Sequence, residues 1–164
     1  MKIRTDFVTN SSSSSYITIR FWGRKSPSKS FEFDRCGEGF YMVGMKDPRE
    51  ELSAATSADE VASILERSFY PNWGKDFLDD ADFVALMQEV RDAKDIAELG
   101  ILEAESTDDC GDGYESGSAY KLEYDFSKRT GTFAEASLDD GEVTFSGDPF
   151  LTEDGYEYNP FNMD

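Results

Sequence analysis

The sequence predicts an α+β fold, an antiparallel or mixed sheet of about five to six strands with two or three helices on one face. Short segments in the first and last parts of the chain alternate apolar and polar side chains, with the period of two of a β-strand. Between them, two segments repeat their apolar residues every three or four positions, as amphipathic helices do. Strands, then helices, then strands predict a sheet that carries helices on one face.

The first strands are predicted at residues 16–22 and 31–35, which both alternate. The basic, proline-bearing stretch GRKSPSKS between them has the composition of a turn, so the pair is expected to form a hairpin. A further short strand is expected around residues 40–43. Residues 46–56 are read as a connection with room for a helical turn.

The first helix is predicted to begin with a capping box formed by Ser57 and Glu60. It is expected to end at Pro71, because the residue before a proline avoids the helical conformation. Its apolar face would consist of Val61, Ile64, Leu65 and Phe69.

The second helix is predicted to start near Asp79 or Asp80, where carboxylates favour the positive end of the helix dipole. Residues 94–100 are read as one more short helical turn, stopped by Gly100. The apolar face of the second helix would consist of Phe83, Leu86, Met87 and Val90.

The last strands are predicted at residues 101–106, 120–126, 132–138 and 142–146. The last two flank Asp140-Gly141, a dipeptide typical of a two-residue hairpin turn. Because each strand has a polar side, the sheet is expected to be covered on one face only.

We expect one α+β domain over residues 16–147. A serine-rich N-terminal motif (residues 1–15) precedes it and an acidic, aromatic tail (residues 148–164) follows it. The tail shows no clear period.

The charge of the chain is unevenly distributed. The net charge is −19, from 16 basic and 35 acidic side chains. Residues 1–49 hold nine of the basic and five of the acidic groups, so the remaining chain is strongly acidic. The basic N-terminal part could pack beside the acidic body and relieve its repulsion. Alternatively, the acidic surface binds a basic partner or imitates nucleic acid.

Several classes of function are excluded by composition. The chain has no histidine, which rules out Ser–His and Cys–His triads, histidine-bound zinc and imidazole acid–base catalysis. Cys36 and Cys110 cannot form a four-thiolate zinc site, and their use fits a reducing compartment. Neither a secretory signal nor an apolar run long enough for a membrane helix is found, so a cytoplasmic protein is expected.

Catalytic, cofactor and nucleotide motifs are missing, so no cofactor is expected and the chain is not expected to be an enzyme. The nearest approach to a metal site is the acidic loop at residues 108–119, where Asp108 and Asp112 fall at calcium-ligand positions of an EF-hand. However, Cys110 and Ala119 stand where two further ligands are required. A solvated hairpin loop is the better interpretation.

The opening MKIRTDFVTNSSSSSYI resembles the start of a set of uncharacterised bacterial and phage-type proteins. These begin K-I-R-x-x-F-V-[ST]-N-S-S-S-S-S followed by an aromatic residue. The resemblance implies a short module attached to differing bodies, and it brings no known function with it. The residues proposed for this interaction motif are Lys2, Arg4, Phe7, Asn10, Ser11, Ser12, Ser13, Ser14 and Ser15.

The function is unknown, and three hypotheses remain open. The first is a non-enzymatic, acidic interaction protein that binds a protein partner. Its acidic charge favours a basic partner, and its N-terminal motif would be a recognition or assembly module. The second is a nucleic-acid mimic that inhibits a DNA-binding protein. The third is a carboxylate- or metal-dependent enzyme. Direct nucleic-acid binding is not expected from a chain of net charge −19.

Overall fold

The computed structural model describes residues 15–26, 28–34, 43–71, 79–107 and 114–162. The predictions about both cysteines and about most of the N-terminal motif therefore concern residues outside the described ranges. The described part has the α+β architecture that the sequence predicts.

The strands and helices follow the predicted order, apart from a short unpredicted strand between the two long helices and a strand where a third helical turn was expected. The strands are β1 (Ser15–Gly23), β2 (Lys29–Asp34), β3 (Val43–Met45), β4 (Phe69–Pro71), β5 (Ile96–Thr107), β6 (Ser116–Asp125), β7 (Thr130–Asp139) and β8 (Glu142–Gly147). The helices are α1 (Arg49–Ala54), α2 (Ala58–Ser68) and α3 (Ala81–Asp92), with a 3-10 turn at Pro160–Asn162.

Six strands form one fully antiparallel sheet in the order β2-β1-β5-β6-β7-β8. The strands β3 and β4 form a separate antiparallel pair. Within the main sheet, β5 and β6 are central, while β2 and β8 are the two edges.

Helix α3 forms as its sequence predicts. The carboxylate of Asp80 caps its first turn by accepting a hydrogen bond from the backbone N–H of Asp82 at 2.8 Å. All four predicted apolar residues of its face are buried against the sheet.

One half of the predicted capping box of α2 forms as expected, and the other half is shifted from Ser57 to Thr56. The hydroxyl of Ser57 accepts from the backbone N–H of Glu60 at 3.2 Å, as predicted. The carboxylate of Glu60 reaches back to Thr56, from which it accepts the backbone N–H at 2.6 Å and the hydroxyl at 2.9 Å. These hydrogen bonds lower the pKa of Glu60 below its ordinary value.

The predicted end of α2 is wrong by three residues. The helix stops at Ser68, and Phe69, which was assigned to its apolar face, lies in β4. Pro71 restricts the preceding backbone to extended conformations. The chain therefore leaves the helix early and pairs with β3, with Met45 opposite Phe69.

The predicted helical turn at residues 94–100 is also wrong, because this segment is the first half of β5. Ala97, Leu99 and Ile101 are buried against the helices, whereas Gly100 and Leu102 are buried on the opposite face. A strand buried on both faces loses its alternation and resembles a helical segment in sequence. Gly100 does not stop a helix; it makes room for the indole ring of Trp22.

The sheet has a hydrophobic core on each face. The larger core lies between the sheet and the three helices and includes Phe21, Leu65, Leu99 and Leu122. Phe21 and Phe83 meet edge to face, with ring centroids 5.1 Å apart.

The second core overturns the expectation of a sheet covered on one face only. Residues 148–162, hereafter the C-terminal segment, pack on the face opposite the helices. Phe150 and Phe161 of this segment are buried there together with Trp22, Leu102 and small residues of β6 and β7. The predicted tail therefore contributes a second cover to the sheet.

The predicted hairpin at Asp140-Gly141 is confirmed. Both residues have positive φ, 48° and 78°, as the turn that best matches strand twist requires. The turn fixes the register of β7 and β8, so that Ala136 lies opposite Phe145.

Replacing Gly100 by alanine should destabilise the protein strongly, because a methyl group there would overlap the indole ring of Trp22. We expect a loss of about 3 kcal/mol in the free energy of unfolding, as for an overpacked core. Urea denaturation followed by circular dichroism measures this loss.

The matched control is Gly131→Ala in β7, where the nearest atom to the added methyl group is Leu52 Cδ1 at 3.3 Å. This variant should remain within about 1 kcal/mol of the unsubstituted protein. Equal stability of the two variants would contradict the close contact between Trp22 and Gly100.

Candidate functional site

Most of the residues that the sequence singles out lie outside the described part of the chain. This applies to Lys2, Arg4, Phe7, Asn10 and Ser11 to Ser14, and to the weak metal candidates Asp108 and Asp112. Ser15 is described: it opens β1 and pairs with Thr107 of β5. The last residue of the serine-rich motif thus belongs to β1, between the edge strand β2 and the central strand β5.

Two pairs of adjacent aspartates, Asp79-Asp80 and Asp139-Asp140, lie among the described residues, at the start of a helix and at a hairpin turn. Asp80 caps α3, and Asp139 and Asp140 lie at the tip of the β7–β8 hairpin. Among the described residues, no group of three or more potential metal ligands is close enough to hold an ion. In the same ranges, no helix has both the length and the apolar character needed to cross a membrane.

The C-terminal segment is attached to the sheet by main-chain and side-chain hydrogen bonds. The backbone N–H of Asp148 donates to the carbonyl of Phe133 at 3.0 Å, and the Asp148 carboxylate accepts from the Phe133 N–H at 2.8 Å. Further along, the N–H of Tyr158 donates to the carbonyl of Phe150 at 3.0 Å. The segment therefore doubles back on itself over the sheet.

A buried lysine lies beneath this segment. The side chain of Lys121 is 8% exposed, and its ammonium donates a hydrogen bond to the carbonyl of Leu151. The same nitrogen lies 3.8 Å from a carboxylate oxygen of Glu98 and 3.6 Å from one of Glu123. It also lies 5.9 Å from the ring centroid of Tyr158. Lys121 thus links the sheet to its cover through one ammonium group.

The surroundings of Lys121 shift two pKa values. Burial raises the pKa of the Glu98 carboxyl, whose side chain is 10% exposed, and the Lys121 ammonium offsets part of that rise. Burial likewise raises the pKa of the Tyr158 hydroxyl, which also forms a hydrogen bond with the indole of Trp22. The folded protein therefore holds the proton of Glu98 more tightly than the unfolded chain does.

A cavity of about 410 Å³ opens above this cluster, between the sheet and the C-terminal segment. Its walls combine aromatic, amide and charged groups, among them Trp22, Lys121, Tyr158 and Asn159. The Lys121 ammonium is shared by the two nearby carboxylates and bonds the Leu151 carbonyl, so the arrangement is that of a structural ion cluster.

A second cavity, of about 510 Å³, lies between β8 and the C-terminal segment. Its apolar lining comes from Phe145, Pro149 and Phe150, and Asp148 and Glu157 contribute carboxylates. The rings of Phe145 and Phe150 are 6.3 Å apart. The Phe145 side chain is 52% exposed, which makes it an accessible aromatic group on an edge strand.

The stretch of chain around this cavity carries acidic side chains but no basic ones. Residues 130–162 contain no lysine or arginine and eight acidic side chains: Glu135, Asp139, Asp140, Glu142, Asp148, Glu153, Asp154 and Glu157. Arg49 pairs with Asp148 at 3.4 Å, and Arg24 lies 3.6 Å from Glu153. Within the described ranges, the other six form no ion pair.

The helical side of the molecule differs in this respect. Three of its carboxylates meet a basic side chain: Glu51 with Arg67, Glu66 with Arg91 and Asp82 with Lys29. The helical side therefore mixes both signs of charge, whereas residues 130–162 around β8 and the C-terminal segment carry only one. We call the exposed side chains of residues 139–157 the acidic surface.

Sequence reasoning missed both Lys121 and Phe145. Lys121 occupies a polar position of an alternating strand, and only the cover formed by distant residues makes that position buried. Phe145 was read as part of a strand, but its exposure follows from the place of β8 at the sheet edge. The aromatic residues near the end of the chain were the one sign in the sequence that this segment packs on the sheet.

No family model, curated protein or solved structure matches the chain. Its function is therefore inferred from the geometry of the described residues.

Replacing Lys121 by methionine should destabilise the protein at neutral pH, because Glu98 would be left buried without its counter-charge. We expect a loss of about 3 kcal/mol at pH 7, as for one partner removed from a buried ion pair. The loss should shrink as the pH falls towards the ordinary pKa of a glutamate, since a protonated Glu98 needs no counter-charge.

Urea denaturation at several pH values measures this dependence. The double variant Lys121→Met/Glu98→Gln should recover part of the stability at pH 7, because it removes both charges. A loss that is the same at every pH would show that Lys121 stabilises the fold by its hydrogen bond to Leu151 alone.

Proposed function

We propose that the protein is a non-enzymatic, acidic interaction protein that binds a basic protein partner through the acidic surface. The carrying observation is that an exposed aromatic side chain, Phe145, lies within the acidic surface, where five of the seven carboxylates form no ion pair among the described residues. Tyr156, a further large exposed side chain, belongs to the same surface.

The two components of this surface have different roles in binding. Carboxylates attract a basic partner and accelerate its association. Aromatic side chains supply contact area and are enriched among the residues that dominate protein–protein binding energies. Val84, the remaining large exposed apolar residue among those described, lies by itself on α3, without a second large exposed aromatic or apolar residue beside it.

We further propose that the N-terminal motif is a separate recognition or assembly module. Its resemblance to the openings of otherwise differing proteins supports this role. The full-length variant Phe7→Ala/Asn10→Ala should retain fewer partners than the unsubstituted chain in affinity capture followed by mass spectrometry. Identical partner lists would contradict a role for the motif.

Neutralising part of the acidic surface should weaken binding of a basic peptide. The probe is acetyl-Lys-Val-Lys-Val-Arg-Val-Lys-amide, and the variant is Glu142→Gln/Asp154→Asn/Glu157→Gln. We expect about fivefold weaker binding in isothermal titration calorimetry at low ionic strength, with the difference largely lost at about 0.5 M salt.

The control variant Glu50→Gln/Asp59→Asn/Asp79→Asn removes the same number of exposed charges from the helical side. Its affinity for the peptide should stay close to that of the unsubstituted protein. If both variants lose affinity equally, the peptide responds to net charge only, and the acidic surface has no special role.

A further inference from the structure

We infer that the outer edge of β8 accepts an extended, basic segment of the partner as an additional strand of the sheet. This inference rests on the proposed function and specifies how the acidic surface would bind. Three features of the molecule support it: an open strand edge, a cavity beside that edge and an acidic surface that favours a basic segment.

The backbone of β8 has hydrogen-bonding groups directed away from the sheet. In an antiparallel ladder, alternate residues bond to the neighbouring strand, and the residues between them point outwards. The hairpin register and the bond from Asp148 to Phe133 assign the even-numbered residues to β7. The N–H and C=O groups of Val143 and Phe145 are therefore directed outwards, and among the described residues no strand lies beyond them.

This edge lacks the common protections against pairing. Proteins block exposed edges with lysine, proline, bulges or covering segments. The six residues of β8 contain neither lysine nor proline, and Phe145 stands exposed near the middle of the strand. By contrast, Lys29 begins β2 at the opposite edge.

The cavity beside β8 would receive a side chain of the added strand. A segment lying along Val143 and Phe145 passes the opening lined by Phe145, Pro149 and Phe150. Lysine and arginine have an apolar stem and a charged head. The stem suits the apolar lining, while the head can reach the carboxylate of Glu157 at the same opening.

The charge pattern favours a basic partner over a second copy of this chain. Two copies paired through β8 would bring two acidic surfaces against each other. Like charges across a strand pair destabilise it. Residues 130–162 contain no basic group to compensate that repulsion. A segment that alternates basic and apolar residues meets no such repulsion.

Backbone methylation of the peptide probe tests the inference. The same heptapeptide, N-methylated at its three central residues, keeps every side chain and charge but cannot donate the central ladder hydrogen bonds. We expect it to bind about tenfold more weakly, because one or two ladder hydrogen bonds are lost and the methyl groups keep the backbones apart. Equal affinity of the two peptides overturns strand addition and leaves the proposed function standing, whereas no binding of either peptide overturns both.

A pair of substitutions at Phe145 provides an independent measurement. Phe145→Ala removes the ring and retains the outward N–H, while Phe145→Pro removes both. Proline is tolerated on an edge strand where the N–H faces solvent, and thermal denaturation checks that both variants remain folded. We expect Phe145→Ala to weaken peptide binding several-fold and Phe145→Pro to weaken it about tenfold further.

The control Val84→Ala removes a side chain of similar exposure, 53%, from α3 and should leave the peptide affinity unchanged. In heteronuclear NMR spectra, the amide protons of Val143 and Phe145 should become protected from exchange when the unmethylated peptide binds. Unchanged exchange at both amides with the peptide bound would overturn the inference.

Discussion

The rest of the structure depends on the burial of both faces of the central strands. In β5, Leu99 and Leu102 point to opposite sides and are both fully buried. The three helices cover one side, so the other would be in water unless another part of the chain packed there. The C-terminal segment provides this cover, and its packing on Trp22 and the hydrogen bond from Lys121 to Leu151 fix its position. Apolar burial thus decides where the last described residues lie, and they in turn form one wall of the cavity beside β8.

The parts of the fold that depend on local chemistry could be predicted from the sequence. The face of α3 and the Asp140-Gly141 hairpin were predictable because helix periodicity and turn geometry are local properties. The first half of β5 was not, because burial on two faces removes the alternation that identifies a strand. At the candidate site, the acidic composition was visible. The burial of Lys121 and the exposure of Phe145 were not, since both depend on which segments become neighbours.

Charge and shape coincide on one side of the molecule. Basic side chains are interspersed among the carboxylates of the helices and pair with three of them, whereas residues 130–162 contain no lysine or arginine. The same side carries a strand edge, two exposed aromatic groups and an apolar cavity. Each feature alone is common on protein surfaces. Their overlap on one side favours the proposal that this surface binds a partner over the alternative that its charge serves solubility alone.

The late position of the C-terminal segment in the chain also has a consequence for biosynthesis. A ribosome completes β1, β5, β6 and β7 before it reaches Phe150 and Phe161. During that interval the nascent sheet can assemble its helical side, but Trp22 and Leu102 have no cover on the other. The growing polypeptide would then present an apolar sheet face of the kind that molecular chaperones recognise. Emergence of residues 148–162 from the ribosome is therefore the event that allows the fold to close.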